Sequence, residues 1–170
     1  MNLPRPVRRI LFVCYGNLCR SVLAEALMKR LLEAGGFKGI RVESAGVGAL
    51  PGYPAPEEIV GLARCRGLDV RGHRSRPLSR SMLDRADIVL VMESYMAEQI
   101  KQRGSGKDRS KVFLLGSFSP GSGGSCEIED PYGGSLDDLQ RCYGEIERSL
   151  QGLYRALVSA SAIGGKAPSR

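Results

Sequence analysis

Four short runs of strand character are spaced along this chain of 170 residues, and the segments between them carry a helical period. Residues 10–13, 88–92 and 112–115 are uninterrupted apolar stretches too short for a helix, as expected of strands buried on both faces; residues 40–44 give a fourth, less apolar candidate. Helical patterns follow at about 22–31, 55–66 and 94–103, and a longer one starts at Ser135, an N-cap candidate with Asp137 and Asp138 in its first turn. Strands that alternate with helices pair in parallel through right-handed crossovers. The expected fold is a single-domain, doubly wound four-stranded parallel α/β sheet with helices on both faces. The domain is expected over residues 1–158, with 159–170 a disordered C-terminal tail of small, polar and charged residues. In such a fold ligands bind beyond the carboxyl ends of the strands, so the loop after the first strand is the expected phosphate-binding site.

That loop contains Cys14, five residues, then Arg20, a spacing that can wrap a tetrahedral oxyanion with a thiol beneath and a guanidinium beside it. The spacing alone is not informative, because Cys65 with Arg71 and Cys142 with Arg148 repeat it. Cys142 and Arg148 fall within a helical pattern (Leu136, Leu139, Tyr143, Ile146, Leu150, Leu153, Leu157), where six residues place them roughly 240° apart around the axis. Cys65 and Arg71 bracket a helix end at Gly67, with no helix opening afterwards. The first copy has a strand before it and a helix after it. Ser21 stands as N-cap or first-turn residue, and Val22, Leu23, Ala26, Leu27 and Leu31 give the helix a buried face. A helix N-terminus attracts phosphate-like anions, Gly16 lets the backbone turn or approach a ligand, and the local field favours negative charge on Cys14.

Composition narrows the function classes. No apolar run approaches the ~18 residues of a membrane span, and the first is too short for a signal-peptide core, so a cytoplasmic protein is expected. Five cysteines without a Cys-x2-Cys pair fit neither a disulfide scaffold nor a zinc site. The net charge of +7, dense between Arg71 and Arg85, suits anionic partners. Aromatic interleaving and nucleic-acid motifs are absent from that stretch, so it reads as a solvated face that gathers phosphorylated substrates, and nucleic acid is not an expected partner.

A thiolate attacking phosphorus needs an acid for the leaving oxygen. Asp130, held before Pro131 in a loop after the last strand, is the candidate, although Asp-Pro is also an ordinary turn element. The run Val13-Cys14-Tyr15-Gly16-Asn17-Leu18-Cys19-Arg20-Ser21 resembles the signature loop of the low-molecular-weight protein tyrosine phosphatases, and Asp130-Pro131-Tyr132 resembles their acid loop. Glu43-Ser44-Ala45-Gly46 and His73 fall where that family has supporting residues, so the resemblance spans about residues 8–157.

The resemblance implies Cys14 as nucleophile forming a phosphocysteine, Arg20 gripping the equatorial oxygens, and Asp130 as general acid and then base, with no metal or cofactor. It makes Asn17, Ser44 and His73 a hydrogen-bonded support for the loop, and Ser21 a donor to the cysteine sulfur. It also implies a reversible disulfide between Cys14 and Cys19. On residue type alone, Asn17 is a turn residue, Ser44 a strand end, Ser21 a helix cap, and His73 and Cys19 packing side chains. Tyr15 and Tyr132 offer flat walls for a phenyl ring. Leu18 stands where related arginine phosphatases carry threonine, which favours phosphotyrosine. Val22 replaces a frequent proline, and Leu50 lies near the place of a tryptophan wall in many relatives. The implied partner is a phosphotyrosine protein such as a bacterial tyrosine kinase of polysaccharide export, acted on by a monomer away from membranes. The alternatives are an arsenate reductase or protein arginine phosphatase on the same fold, or a non-catalytic anion- or nucleic-acid-binding module. The arsenate route is opposed by the wide separation of Cys65, Cys126 and Cys142.

Overall fold

The computed structural model describes residues 3–103, 110–121 and 126–163. Strands β1 (Arg9–Cys14), β2 (Arg41–Gly46), β3 (Ile88–Val91) and β4 (Val112–Leu114) form one parallel sheet in the order β2-β1-β3-β4. The helices are α1 (Arg20–Ala34), α2 (Glu57–Cys65), α3 (Arg80–Arg85), α4 (Ser94–Arg103) and α5 (Leu136–Ile163), with a 3-10 turn at Leu115–Phe118. The expected doubly wound sheet is present. Its strand order reverses between β1 and β3, so the α1 and α4 crossovers, both right-handed by rule, cover opposite faces. The long α5 packs beside α1. Both central strands lie in the core: residues 10–14 are at most 2% exposed and all of β3 is at 0%. Among the described residues no helix is long and apolar enough to cross a membrane.

Several boundaries differ from the sequence expectation for physical reasons. β2 runs to Gly46, because Gly46 pairs with Cys14 and the ladder continues through Val47 N to Cys14 O and Gly48 N to Tyr15 O, both 3.0 Å. α3 was not expected: its six residues bury only Met82 and Leu83, too few to print a period among the arginines, and the Ser79 side chain caps it by accepting from Met82 N. Leu115, expected to end the fourth strand, and residues 116–118, expected to open a loop over 116–125, form a 3-10 turn instead, in which Gly116 passes so close to Cys126 that a Cβ would lie 2.2 Å from its carbonyl oxygen. Residues 122–125 of that expected loop lie outside the described residues. α5 buries Leu139, Tyr143, Ile146, Leu150, Leu153 and Leu157 as its period foretold, while Leu136, at its first turn, is exposed. The helix continues to Ile163, beyond Ser159 where a tail was expected, and residues 164–170 lie outside the described part of the chain.

Gly46 is a tight point of the sheet's binding edge, next to the Cys14 loop. A Cβ there would lie 2.4 Å from Tyr15 O and 2.8 Å from Asn17 N, both backbone atoms that cannot rotate away. Gly46→Ala should therefore destabilise the fold by about 2 kcal/mol or more, read as a lower urea midpoint at unchanged m-value.

Candidate functional site

β1 ends at Cys14 and α1 begins at Arg20, so the loop between them is fixed by the sheet at one end and the helix at the other. Its turn is made by Asn17, at φ +53, rather than by Gly16, which faces the cleft with ordinary backbone angles. Asparagine tolerates the left-handed region, and here the rest of its side chain is used as well. Fully buried, Asn17 donates from Nδ2 to Ser21 Oγ and Ser44 Oγ, both at 2.9 Å, and its Oδ1 accepts from Arg76 N at 3.0 Å. Its carbonyl oxygen meets His73 Nε2 at 2.7 Å, and its amide donates to Cys14 Sγ at 3.3 Å. Ser44 Oγ passes the chain on to Glu25 Oε2 at 2.5 Å. The supporting group expected from Asn17, Ser44 and His73 is thus brought together. Of the two expected placements Ser21 takes the first-turn one, as the second residue of α1, and its hydroxyl lies 3.0 Å from Cys14 Sγ.

Arg20 is the largest fully buried side chain near the loop, at 1% exposure. Its Nη1 donates to Glu93 Oε2 at 2.6 Å and Ile128 O at 2.8 Å, and its Nη2 to Asp130 Oδ2 at 2.5 Å. Among the described residues its Nε is the buried side-chain nitrogen left without a hydrogen-bond partner. Burial, the largest influence, opposes the charged guanidinium, but the Glu93 hydrogen bond and the charges of Asp130 and Cys14 outweigh it and raise its pKa. Arg20 is therefore a permanent cation at the cleft floor. The acid loop reaches it because Ile128 N bonds Met92 O at the end of β3 and Glu127 accepts from Ser94 N. Asp130 Oδ1 then accepts from Tyr132 N at 3.2 Å.

A cleft of about 390 Å³ opens above these groups, lined by Cys14, Arg20 and Asp130. Tyr15, Gly16, Leu18, Cys19, Leu50 and Tyr132, all singled out from sequence, line it too. Tyr15, Leu50 and Tyr132 are more than half exposed at its mouth, so their faces are open to a ligand. The other two Cys-x5-Arg copies make no site: Arg71 pairs with Asp69, and Cys142 and Arg148 ride on α5.

Sequence reasoning missed Glu93, Glu25, Tyr53, Ser75 and Arg76. Glu93 was findable, since it directly follows β3 at the binding edge, and Glu25 sits one helical turn after Ser21. Tyr53 and Ser75 belong to irregular segments whose approach to the cleft no period announces. Arg76 acts through its backbone N and through Nε, which donates to Ser44 O at 2.7 Å.

Two of the other thiols, Cys19 and Cys142, are poor nucleophiles. Burial, with help from the nearby Cys14 and Asp130, pushes Cys19 up to about 12, and burial pushes Cys142 to about 12 as well. All five cysteines are free. His73 is held below its ordinary value, chiefly by burial, despite the opposing Asn17 hydrogen bond. No His, Cys, Asp and Glu group that could hold a metal occurs among the described residues.

Residues 9–162 match the family described as low molecular weight phosphotyrosine protein phosphatase. The chain is 37% identical over 144 residues to a probable low molecular weight protein-tyrosine-phosphatase, EpsP, of Ralstonia nicotianae, covering 85% of this chain and 92% of that one. It is 38% identical over 148 residues to a protein-arginine-phosphatase of Bacillus subtilis, covering 87% and 95%. Among solved structures, the tyrosine phosphatase Wzb from Escherichia coli K30 in complex with sulphate superposes with a TM-score of 0.79 at 34% identity, covering 89% and 99%.

Two outcomes follow from the pKa directions. Iodoacetamide at neutral pH should label exposed Cys65 while native Cys19 and Cys142 stay unlabelled, as peptide mass spectrometry would show. A His73 value lowered by folding means that the unfolded chain binds the proton more readily. His73's contribution to stability is therefore present above pH ~6.5 and lost as pH falls through its lowered folded value. Urea midpoints of His73→Gln should accordingly fall less steeply between neutral and acid pH than those of the wild type.

Proposed function

The chain belongs to the low molecular weight phosphotyrosine protein phosphatase family, and from that membership we propose how its own residues divide the hydrolysis of phosphotyrosine. Cys14 Sγ attacks phosphorus, the bond from phosphorus to the ester oxygen breaks, and Asp130 gives its proton to the departing phenolate. In the second step the Asp130 carboxylate takes a proton from water, whose oxygen attacks phosphorus. The phosphorus–sulfur bond breaks and the cysteine thiolate is regenerated. Ser21 Oγ, 3.0 Å from Sγ, and the Asn17 amide supply donors to the negative sulfur in both steps.

The observation that carries this reading is the division of labour on Arg20. Nη1 is occupied by Glu93 and Ile128 O, which hold the guanidinium plane, whereas Nε is uncommitted and Nη2 holds only the Asp130 carboxylate. Two equatorial phosphate oxygens can take Nε and Nη2 as a bidentate pair. The Asp130 carboxyl displaced from Nη2 takes up a proton from solvent and is left beside the leaving oxygen, to which it passes that proton. Positioning and charge stabilisation of this kind carry most of the catalysis in phosphoryl transfer.

The relative that acts on protein arginine makes phosphoarginine the rival substrate. Leu18 and the aromatic faces of Tyr15, Tyr53 and Tyr132 support a flat ring instead. An arsenate relay is opposed by Cys142, buried in α5 and held protonated, and by Cys65 at the exposed end of α2. The same reading takes the enzyme to be a cytoplasmic monomer acting on a phosphotyrosine protein, with a bacterial tyrosine kinase the first to try. It takes residues 1–158 as the catalytic domain, and Cys14 as able to pair reversibly with Cys19 under oxidation.

Cys14→Ser should abolish turnover of both p-nitrophenyl phosphate and phosphotyrosine. Asp130→Ala should lower kcat on phosphotyrosine about 100- to 1,000-fold, and much less on p-nitrophenyl phosphate, whose leaving group needs little protonation. Full activity in the serine variant, or a preference for phosphoarginine in the wild type, would contradict the assignment.

A further inference from the structure

Ser75 is a polar side chain, 3% exposed, to which the chemistry above assigns no task. Its hydroxyl donates to Leu50 O at 2.5 Å and accepts from Tyr53 N at 2.9 Å. Its backbone adds two more bonds at 2.8 Å: Ser75 N donates to Tyr53 O, and Ser75 O accepts from Gly52 N. Four hydrogen bonds from one residue therefore fix the loop at 50–53, whose side chains Leu50 and Tyr53 are both more than half exposed and line the cleft above Cys14. Gly52, at φ +88, gives that loop its bend.

The neighbours of Ser75 face the other way. His73 Nε2 bonds Asn17 O, and Arg76 N bonds Asn17 Oδ1, so residues 73–76 hold the oxyanion loop with one set of atoms and the outer wall with another. The wall's side chains have few packing partners of their own, being exposed, and their distance from the cradle is set by the backbone beneath them. A loop left free would have to be ordered each time a ring docked against it, and a buried crosslink removes that cost in advance.

We propose that Ser75 is a specificity-positioning residue: its hydroxyl holds the Leu50 and Tyr53 wall at the distance from the oxyanion cradle that fits the planar ring of an aryl phosphate. The inference rests on the phosphatase reading for its biological meaning, but it concerns ring recognition and can be measured without turnover. The hydroxyl is committed to Leu50 O and Tyr53 N, so its loss acts through the wall.

The experiment compares the affinities of benzylphosphonate and methylphosphonate by calorimetry, since both place a phosphonate in the cradle and only one carries a ring. Ser75→Ala should weaken benzylphosphonate about fivefold, the worth of about one hydrogen bond, and methylphosphonate less than twofold. In a Leu50→Ala/Tyr53→Ala background, Ser75→Ala should change neither ligand further. Ser75→Cys, similar in size with a weaker donor, should move in the same direction and serves where the alanine variant does not fold. Equal weakening of both ligands would show that Ser75 supports the cradle, no change in either affinity would show that it positions nothing, and an effect persisting without Leu50 and Tyr53 would place its action elsewhere; each would overturn the proposal. Failure of the wild type to hydrolyse phosphotyrosine, with the affinity ratio still falling in Ser75→Ala, would contradict the catalytic reading and leave ring recognition standing.

Discussion

The left-handed, fully buried Asn17 is the constraint on which the site depends. An asparagine at φ +53 costs about 1 kcal/mol or more relative to ordinary backbone, and it persists because its surroundings over-determine it. Its five polar contacts reach Cys14, Ser21 in α1, Ser44 in β2, and the segment that carries His73 and Arg76. The bonds to Cys14, Ser21 and Ser44 are buried and those to His73 and Arg76 partly so, and an unpaired amide there would be expensive, so they stand or fall as a group. The loop is thus shaped before any ligand arrives, which is what a cradle for a doubly charged oxyanion requires.

A second layer of order radiates from this point. Arg20 enters the site as the first residue of a helix, and Glu93 with Ile128 O fixes the plane of its guanidinium. Ile128 is in turn fastened to Met92 at the end of β3, so the acid loop is registered to the sheet rather than hung on a free tether. The result joins three segments at the carboxyl edge of the sheet, those after β1, β3 and β4, around one buried cation. Ser75 and Arg76 extend the same framework outward to the wall, so the oxyanion cradle and the aryl wall share one supporting segment.

Much of this was legible in the sequence, for reasons that particular residues show. The buried strands at 10–13 and 88–91 announced themselves because a strand covered on both faces must be apolar throughout. Cys14, Arg20 and Asp130 line one cleft; the first two stood out because their context, a strand before and a helix after, is local, whereas Asp130 was picked out by its place before Pro131 and by the family resemblance. Tyr53 and Ser75 were not legible, since both lie on irregular segments without a period, and a serine hydroxyl that bonds a distant backbone looks in sequence like any loop serine. Gly16 drew attention by its type, yet the strained turn fell on Asn17, whose side chain contributes bonds a glycine lacks. Ser21 fitted either a cap or a first-turn position, and it takes the second, as the second residue of a helix that begins at Arg20, with its hydroxyl 3.0 Å from the sulfur. α3 was hidden because six residues with two buried side chains carry no detectable period.

The central claim is that Cys14 becomes covalently phosphorylated. The direct measurement is a rapid acid quench of the enzyme during turnover of phosphotyrosine, followed by peptide mapping and 31P spectroscopy of the trapped species. The account predicts one phosphoryl group on sulfur in the peptide bearing Cys14, appearing faster than inorganic phosphate and vanishing as substrate is exhausted. Turnover that proceeds with phosphate on a different residue, or with no phosphoenzyme at any quench time under conditions where breakdown is slowed, would contradict it.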